Sequence, residues 1–489
     1  MATKRLFQLL AAVEDQPGVA ASNLVDVANA KLLVSDPQVT YDRETYEREI
    51  NRTSLTPLTP IAGVVEAECT FRVEVAGTST ADAVPDWSIL LEACGLKKYE
   101  MSSTDIGAIT AGGADAFYSG EELSGTGSGS GTGKVVHDTW EGATKLYHTG
   151  TTPVTGLITG ATSLSTATAS TAAGDPQCGW AWMPVSSPLV ELELTTTSGD
   201  IDIGDIYIGG TGGAVIEAAE ALGASTAGLV DFKLLDIGDF LSMGEVFTDT
   251  AGTKTFEVSG SGGFITTPTM PSVSLGVIED GVKRLLKGCR GSVTFTANLG
   301  EPMFMDFTFK GLIASISDGQ LTGTPVPTSK VPPVFLEIGY GVAADSPAVT
   351  PANEHTACIN SWSVEYANEV AIERCAASTD GTRGAAFISG RAVTGSFDPS
   401  VRPEASFPFL ANFRNGTTFR QRVTLGDTAA NQFHLSTAAC FITSEGGGDR
   451  NGLATRDLQF SASGKNPEGV DGSDREFVFS YHQDAVFAR

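Results

Sequence analysis

No run of eighteen apolar residues occurs in these 489 residues, so no segment is long enough to cross a bilayer as an apolar helix. Paired cysteines are missing as well. Cys69, Cys94, Cys178, Cys289, Cys358, Cys375 and Cys440 are odd in number, widely spaced and never CxxC, which points to reduced thiols in a protein folded in the cytosol. The five histidines, His137, His148, His355, His434 and His482, form no HExxH, HxH or cysteine-paired spacing, so the sequence carries no metal signature. GxSxG is absent. Positive charge is scarce, 31 Lys and Arg against 58 Asp and Glu, for a net charge of −27. Such a chain does not hold DNA by neutralising its phosphates; it repels DNA, as suits a surface that DNA passes without sticking. Long amphipathic helical patterns are nearly absent.

What is present is glycine (56 residues), threonine, serine and short alternating stretches, the composition of a mostly β protein rich in turns. Hydrophobic content of 41% is enough for real cores. The glycine-rich GTGSGSGTGK ending at Lys134 does not meet the phosphate-loop spacing, since Ser128 takes the first glycine position and Val135 follows the lysine; it reads as a flexible surface loop. The start, MATKRLFQLLAAVEDQPG, reads as a mature N-terminal arm of about 27 residues and not as a signal peptide, because Glu14-Asp15 cut its apolar run short.

The chain is organised around the stretch from Arg391 to Asp427. Ala392 to Val401 alternates as a strand. Pro403 opens a short helix over 407–413, Asn415-Gly416 is a turn, and Thr417 to Leu425 is the returning strand. A similar unit lies near the N-terminus: Val64 to Val75 alternates, and Pro85 opens PDWSILLEACG, a helix stopped by Gly95. Upstream the echo continues. Val39, Tyr41 and Glu44 match Val364, Tyr366 and Glu369; after a one-residue slip Glu47-Arg48 match Glu373-Arg374; Gly63 and Gly390 close the two loops. This predicts one fold used twice: a discontinuous first domain (1–102 and 263–322), a Pro-rich linker (323–333) and a second domain (334–489). Ala28 to Val39 is its expected first strand, and Tyr41 to Pro60 an extended hairpin or loop.

Between them, 103–262 carries no Arg, four Lys and twenty Asp plus Glu, hence 4 − 20 = −16. It reads as an inserted β-rich domain, with one or two helical turns at Glu217 to Leu222. Trp180 and Trp182 are expected to pack inside it; a sugar-binding platform is the other reading of that pair. Trp87, Phe409 and Phe413 read as core. The charged loops read as arms that pack on another copy of the chain, through Glu44, Glu47, Arg48, Arg52, Glu369, Glu373 and Arg374.

The order of these pieces resembles the tail tube proteins of long-tailed bacteriophages. The resemblance rests on Gly63, strand and LLEACG helix, on Asp280 to Gly291 and the FTFKG strand (Phe307 to Gly311), and on helix, NGT, strand and LGD (Phe409 to Asp427). It extends through DRNGL (Asp449 to Leu453) and EFVF (Glu476 to Phe479). It covers about 1–100 and 264–489 and leaves the insert unmatched. It implies two tandem tube-type β-sandwiches, each with a short helix, so that three chains would give a pseudo-hexameric ring with the insert outside. It further implies a virion tail protein assembled in the host cytoplasm and stacked in rings around a tape-measure protein. Terminator and distal tail proteins would be partners, and DNA would pass without specific binding. It implies no catalysis, no cofactor, no metal and no membrane. A decoration protein or a receptor- or glycan-binding protein is the alternative; a glycan hydrolase has only abundant carboxylates behind it.

Overall fold

The computed structural model describes residues 7–14, 18–21, 34–46, 61–79, 83–107, 270–319, 358–374, 382–401, 408–426, 431–463 and 476–483, with shorter stretches at 31–32, 108–258, 331–341 and 354–356. The elements that organise it are β1 (Phe7–Val13), β2 (Ser35–Tyr46), β3 (Ile61–Glu74), α1 (Ser88–Ala93), β4 (Leu96–Asp105), β5 (Gln177–Pro184), β6 (Val273–Glu279), β7 (Val282–Asn298) and β8 (Phe304–Asp318). They continue with β9 (Ser361–Arg374), β10 (Thr382–Phe397), α2 (Phe409–Asn415), β11 (Phe419–Leu425), β12 (Gln432–Arg450), β13 (Leu453–Ala462) and β14 (Val478–His482). The protein is mostly β, with two short helices among the described residues.

Eight of these strands form one antiparallel ladder in the order β2-β3-β8-β7-β9-β10-β13-β12. The connectivity within it recurs. A long hairpin (β2–β3, then β9–β10) hands its second strand to the second strand of another hairpin (β7–β8, then β12–β13), with a helix and a returning strand between. The ladder alternates in burial along each strand. In β3, Ala67, Cys69, Phe71 and Val73 are buried and Glu66, Glu68, Thr70 and Arg72 half-buried, the pattern of a sheet with one face on a core and the other on solvent.

The inner face meets a single apolar cluster that draws on residues from Leu9 to Tyr481. At its centre Trp87 packs against Trp182, Phe433 and Phe479, with ring centroids 4.9, 6.3 and 5.7 Å apart. Burying each such aromatic contributes about 1.5–3 kcal/mol. Trp180 and Trp182 therefore pack in the main core and not inside the expected insert. Trp182 Nε1 donates to Ser88 Oγ at 3.0 Å, and burial removes both indoles from any sugar-binding platform.

Their strand, β5, lies in the main sheet between β4 and β14. Other parts of 103–262 form separate structures. Four strands between 122 and 169 make a small sheet, over a core that includes Phe117, Leu123 and Ile158. Six strands between 189 and 258 close into a barrel around Tyr207, Phe247 and Phe256. Within it Val215–Ala218 is a strand, so Glu217 and Ala218 are not in the helical turns expected at Glu217 to Leu222, while 219–222 lie outside the described residues; Val215 and Ile216 take ladder places beside Asp236 and Leu234. Thr132–Lys134, at the end of the glycine-rich run, is also a strand.

The N-terminal stretch differs from the expected arm. Phe7–Val13 is β1, paired with β6 along its whole length and buried from Gln8 to Ala12. Behind it the carboxylate of Glu14 is 1% exposed. It accepts hydrogen bonds from Gly18 N, Ser272 Oγ, Ser274 Oγ and Gly288 N, each at 2.7 Å. The expected first strand at 28–39 is divided: Lys31–Leu32 pairs with β1, and β2 starts at Ser35 with a register shift before Gln38, where Asp36 has φ 50°. The strand expected at 392–401 ends at Phe397.

Candidate assembly surface and channel wall

The solvent face of the ladder is a continuous polar surface that crosses several strands. One row crosses six strands: Arg72, Asp306, Thr294, Glu365, Thr394 and Ser461 are successive ladder partners. The next row is Glu74, Phe304, Thr296, Ser363, Ser396 and Gln459. Alternation in β3, β8, β7, β9, β10 and β13 fixes these side chains on one face, because successive residues of a strand point to opposite sides.

Its electrostatics are mild. Arg72 Nε and NH2 donate to Asp306 Oδ1 and Oδ2 at 2.6 and 3.0 Å, and this bond raises the Arg72 pKa further. The guanidinium also sits 5.1 Å from the Phe304 ring centroid. Lys310 stands opposite Glu68, and the hydroxyls of Ser363 and Ser396 meet at 2.9 Å. By register, Glu66, Glu68, Glu74, Asp306, Glu365 and Asp457 share these rows with Arg72, Lys310, Lys287 and the more buried Arg290, among hydroxyls. Acidic groups outnumber cations on this face, so it is poorly suited to neutralising a phosphate backbone.

The two halves of the ladder join where β7 meets β9. Asn368 Nδ2 donates to Cys94 O and Gly291 O, both at 2.7 Å, and Asn368 N donates to Ser292 Oγ at 2.9 Å. The Tyr366 hydroxyl reaches Gly95 O at 3.5 Å. Arg290 NH1 donates to Ala386 O at 3.0 Å and NH2 to Met270 O. Burial pushes the Arg290 pKa down, against the field of Glu14.

The residues singled out for the charged arms fall as follows. Glu44 lies exposed on β2 and Glu369 exposed on β9. Glu373 and Arg374 end β9, with side chains outside the described residues; Glu47, Arg48 and Arg52 lie outside them altogether. The hairpins that carry them leave the ladder on one edge. Four antiparallel steps separate β2 from β9, so both run the same way. Sequence reading passed over the polar face, although the alternation in Val64 to Val75 signals it, and passed over Asn368, which nothing local marks.

Trp87 and Phe409 are buried as expected, but Phe413 is exposed. Six described cysteines are free thiols, Cys358 exposed and five buried; Cys375 is outside the description. No group of three or more potential metal ligands occurs among the described residues, and no described helix is long and apolar enough to cross a membrane.

No curated protein matches the chain. The family model described as phage tail tube protein matches residues 7–462, a span that takes in the whole ladder. On that match, the chain belongs to the phage tail tube protein family.

Proposed function

We propose that the protein is the structural subunit of a phage tail tube, in which three chains close one ring and stacked rings carry DNA between their walls. The observation behind this is the ladder: eight strands, with one hairpin-to-hairpin arrangement occurring twice. Two tube domains in one chain account for the recurrence, and three chains then supply 3 × 8 = 24 strands. At about 4.8 Å per strand, such a wall is ~37 Å across or more, depending on strand tilt, which leaves room for a double helix once side chains are counted. The hydroxyl-rich, weakly acidic face suits the lumen. Closure also removes the sheet edges that would otherwise aggregate.

The small sheet at 122–169 and the barrel at 189–258 are read as external, with β5 retained as part of the tube wall's support. The hairpins bearing Glu44, Glu47, Arg48 and Arg52, and Glu369, Glu373 and Arg374, are read as the contacts between rings, since both point to one edge. The tape-measure protein and the terminator and distal tail proteins are the expected partners. The glycan-binding alternative has lost its candidate platform in Trp180 and Trp182.

Negative-stain microscopy and native mass spectrometry of the purified protein test this reading. Hollow rings or tubes with three chains per ring are expected; solid particles, or rings of six chains, would sink it. Replacing 187–262 with a short Gly-Ser linker is expected to leave tubes intact, whereas removing all of 103–262 takes Trp182 and β5 from the core and prevents folding.

A further inference from the structure

The chain has two Asn-Gly pairs, Asn415-Gly416 and Asn451-Gly452. Both asparagines are exposed, and each is followed by the one residue with no side chain to shield its amide nitrogen. The backbones around them differ.

Asn451 and Gly452 alone join β12 to β13, between the ladder partners Arg450 and Leu453. Their φ angles are 52° and 84°, positive at both central positions as a tight two-residue hairpin turn requires. Gly452 N donates to Asp449 Oδ1 at 3.1 Å. The amide that adjoins the Asn451 side chain is thus held by a carboxylate, a group able to take its proton. Asp449 and Gly452 are exposed, with nothing within 4 Å of a Cβ at Gly452, so water reaches the turn.

Asn415 is the last residue of α2, and there Gly416 N donates to Asn412 O. A carbonyl oxygen is no base, and this bond commits the amide to the helix end.

We propose that Asn451 is a self-modifying site, converted to aspartate or isoaspartate with Asp449 as the base. Gly452 N attacks Asn451 Cγ, and its proton passes to Asp449. The Cγ–Nδ2 bond breaks, and the side-chain nitrogen takes that proton from Asp449 and leaves as ammonia. The product is a five-membered cyclic imide at the turn. Water then opens one of its two carbonyl–nitrogen bonds. Opening at Cγ gives aspartate; opening at the main-chain carbonyl gives isoaspartate, with the backbone rerouted through the side chain. Either product adds a carboxylate beside Asp449 and releases a proton to solvent. The new charge lies at the ladder edge opposite the Glu369 hairpin, because three antiparallel steps separate β12 from β9.

The test is ageing of the purified full-length protein at neutral pH, then cleavage at glutamate and enzymatic methylation of isoaspartate with a labelled methyl donor. This cleavage puts the two pairs in different peptides, 405–445 and 446–468. Label is expected to build up in 446–468, and about tenfold more slowly in 405–445, where no base is positioned. Peptides cut from fresh protein and aged afterwards should lose that difference, since the fold imposes it. Asp449→Asn keeps an oxygen that can accept the Gly452 bond but removes the base, and should slow labelling of 446–468 by about tenfold. Asn451→Gln cannot close the five-membered ring and should abolish it. Equal labelling of the two peptides in the folded protein, or none in 446–468, would overturn the proposal. So would label in 446–468 of Asn451→Gln, or an Asp449→Asn protein that is labelled as fast as the wild type.

Discussion

Gly63 stands against Glu44 across the first long hairpin so closely that a Cβ there would lie 2.9 Å from the Glu44 carbonyl oxygen and 3.1 Å from its Cβ. Gly390 stands against Glu369 in the second hairpin, but there the nearest atom is carboxylate Oε2, at 3.3 Å. One obstacle is backbone and the other is the far end of a flexible side chain. Gly63→Ala should therefore cost about 1–3 kcal/mol, the usual penalty of overpacking, and Gly390→Ala much less. Urea unfolding of the two variants side by side checks this; equal losses would mean that the backbone of β2 gives way.

Glu14 should be among the most sensitive single positions. Its carboxylate accepts four hydrogen bonds in a buried pocket, and removing it leaves the amides of Gly18 and Gly288 without their acceptor. Glu14→Ala is expected to lower stability by about 3–5 kcal/mol, read as a fall in the urea midpoint. Glu14→Gln should fall between, since an amide offers one acceptor oxygen in place of two.

Cations added to the polar face should hold DNA back. Thr294→Arg with Ser363→Arg places two guanidiniums per chain on adjacent rows. Tubes should assemble normally, while DNA release from particles slows, more at low than at high salt. Release at the wild-type rate in low salt would show that this face does not line the passage.

Acid should weaken the fold through two histidines. Burial depresses His482 to about 3, and burial, then Arg422, then His482 depress His434 well below the usual value. Both folded-state values lie below the unfolded one of about 6.5, so the unfolded chain binds more protons in between. Stability is whole above pH 6.5 and falls as the pH drops toward 3, by up to about 1.4 kcal/mol per unit for each histidine. Thermal melts from pH 7 to 4 should show this slope, and His482→Gln should flatten it.

Much of this was readable residue by residue. Val64 to Val75 alternates because β3 has one face on the core and one on water, and the structure returns a strand there, Ile61–Glu74. PDWSILLEACG and its stop at Gly95 appear as α1 and a left-handed cap. Other sites escaped reading. FQLLAAV is a strand buried from Gln8 to Ala12 on both faces, so it carries no period-two signal; Trp180 to Pro184 reads as a strand, but nothing local in it marks a place in the main sheet rather than in the insert. The joint at Asn368 depends on residues some 270 positions away, a distance that no local pattern spans. Phe413 reads as core by its composition, but it lies on the side of α2 away from the buried Phe409 and Asn412.

The ladder alternates direction and holds an even number of strands, so its first and last members run opposite ways. Copies joined end to end keep the alternation without a seam. A chain that gained or lost a single strand would bring two like-pointing edges together, with a different bonding geometry at every junction. In the proposed tube, keeping every junction antiparallel would therefore make the whole hairpin, and not the single strand, the unit in which the circumference grows or shrinks.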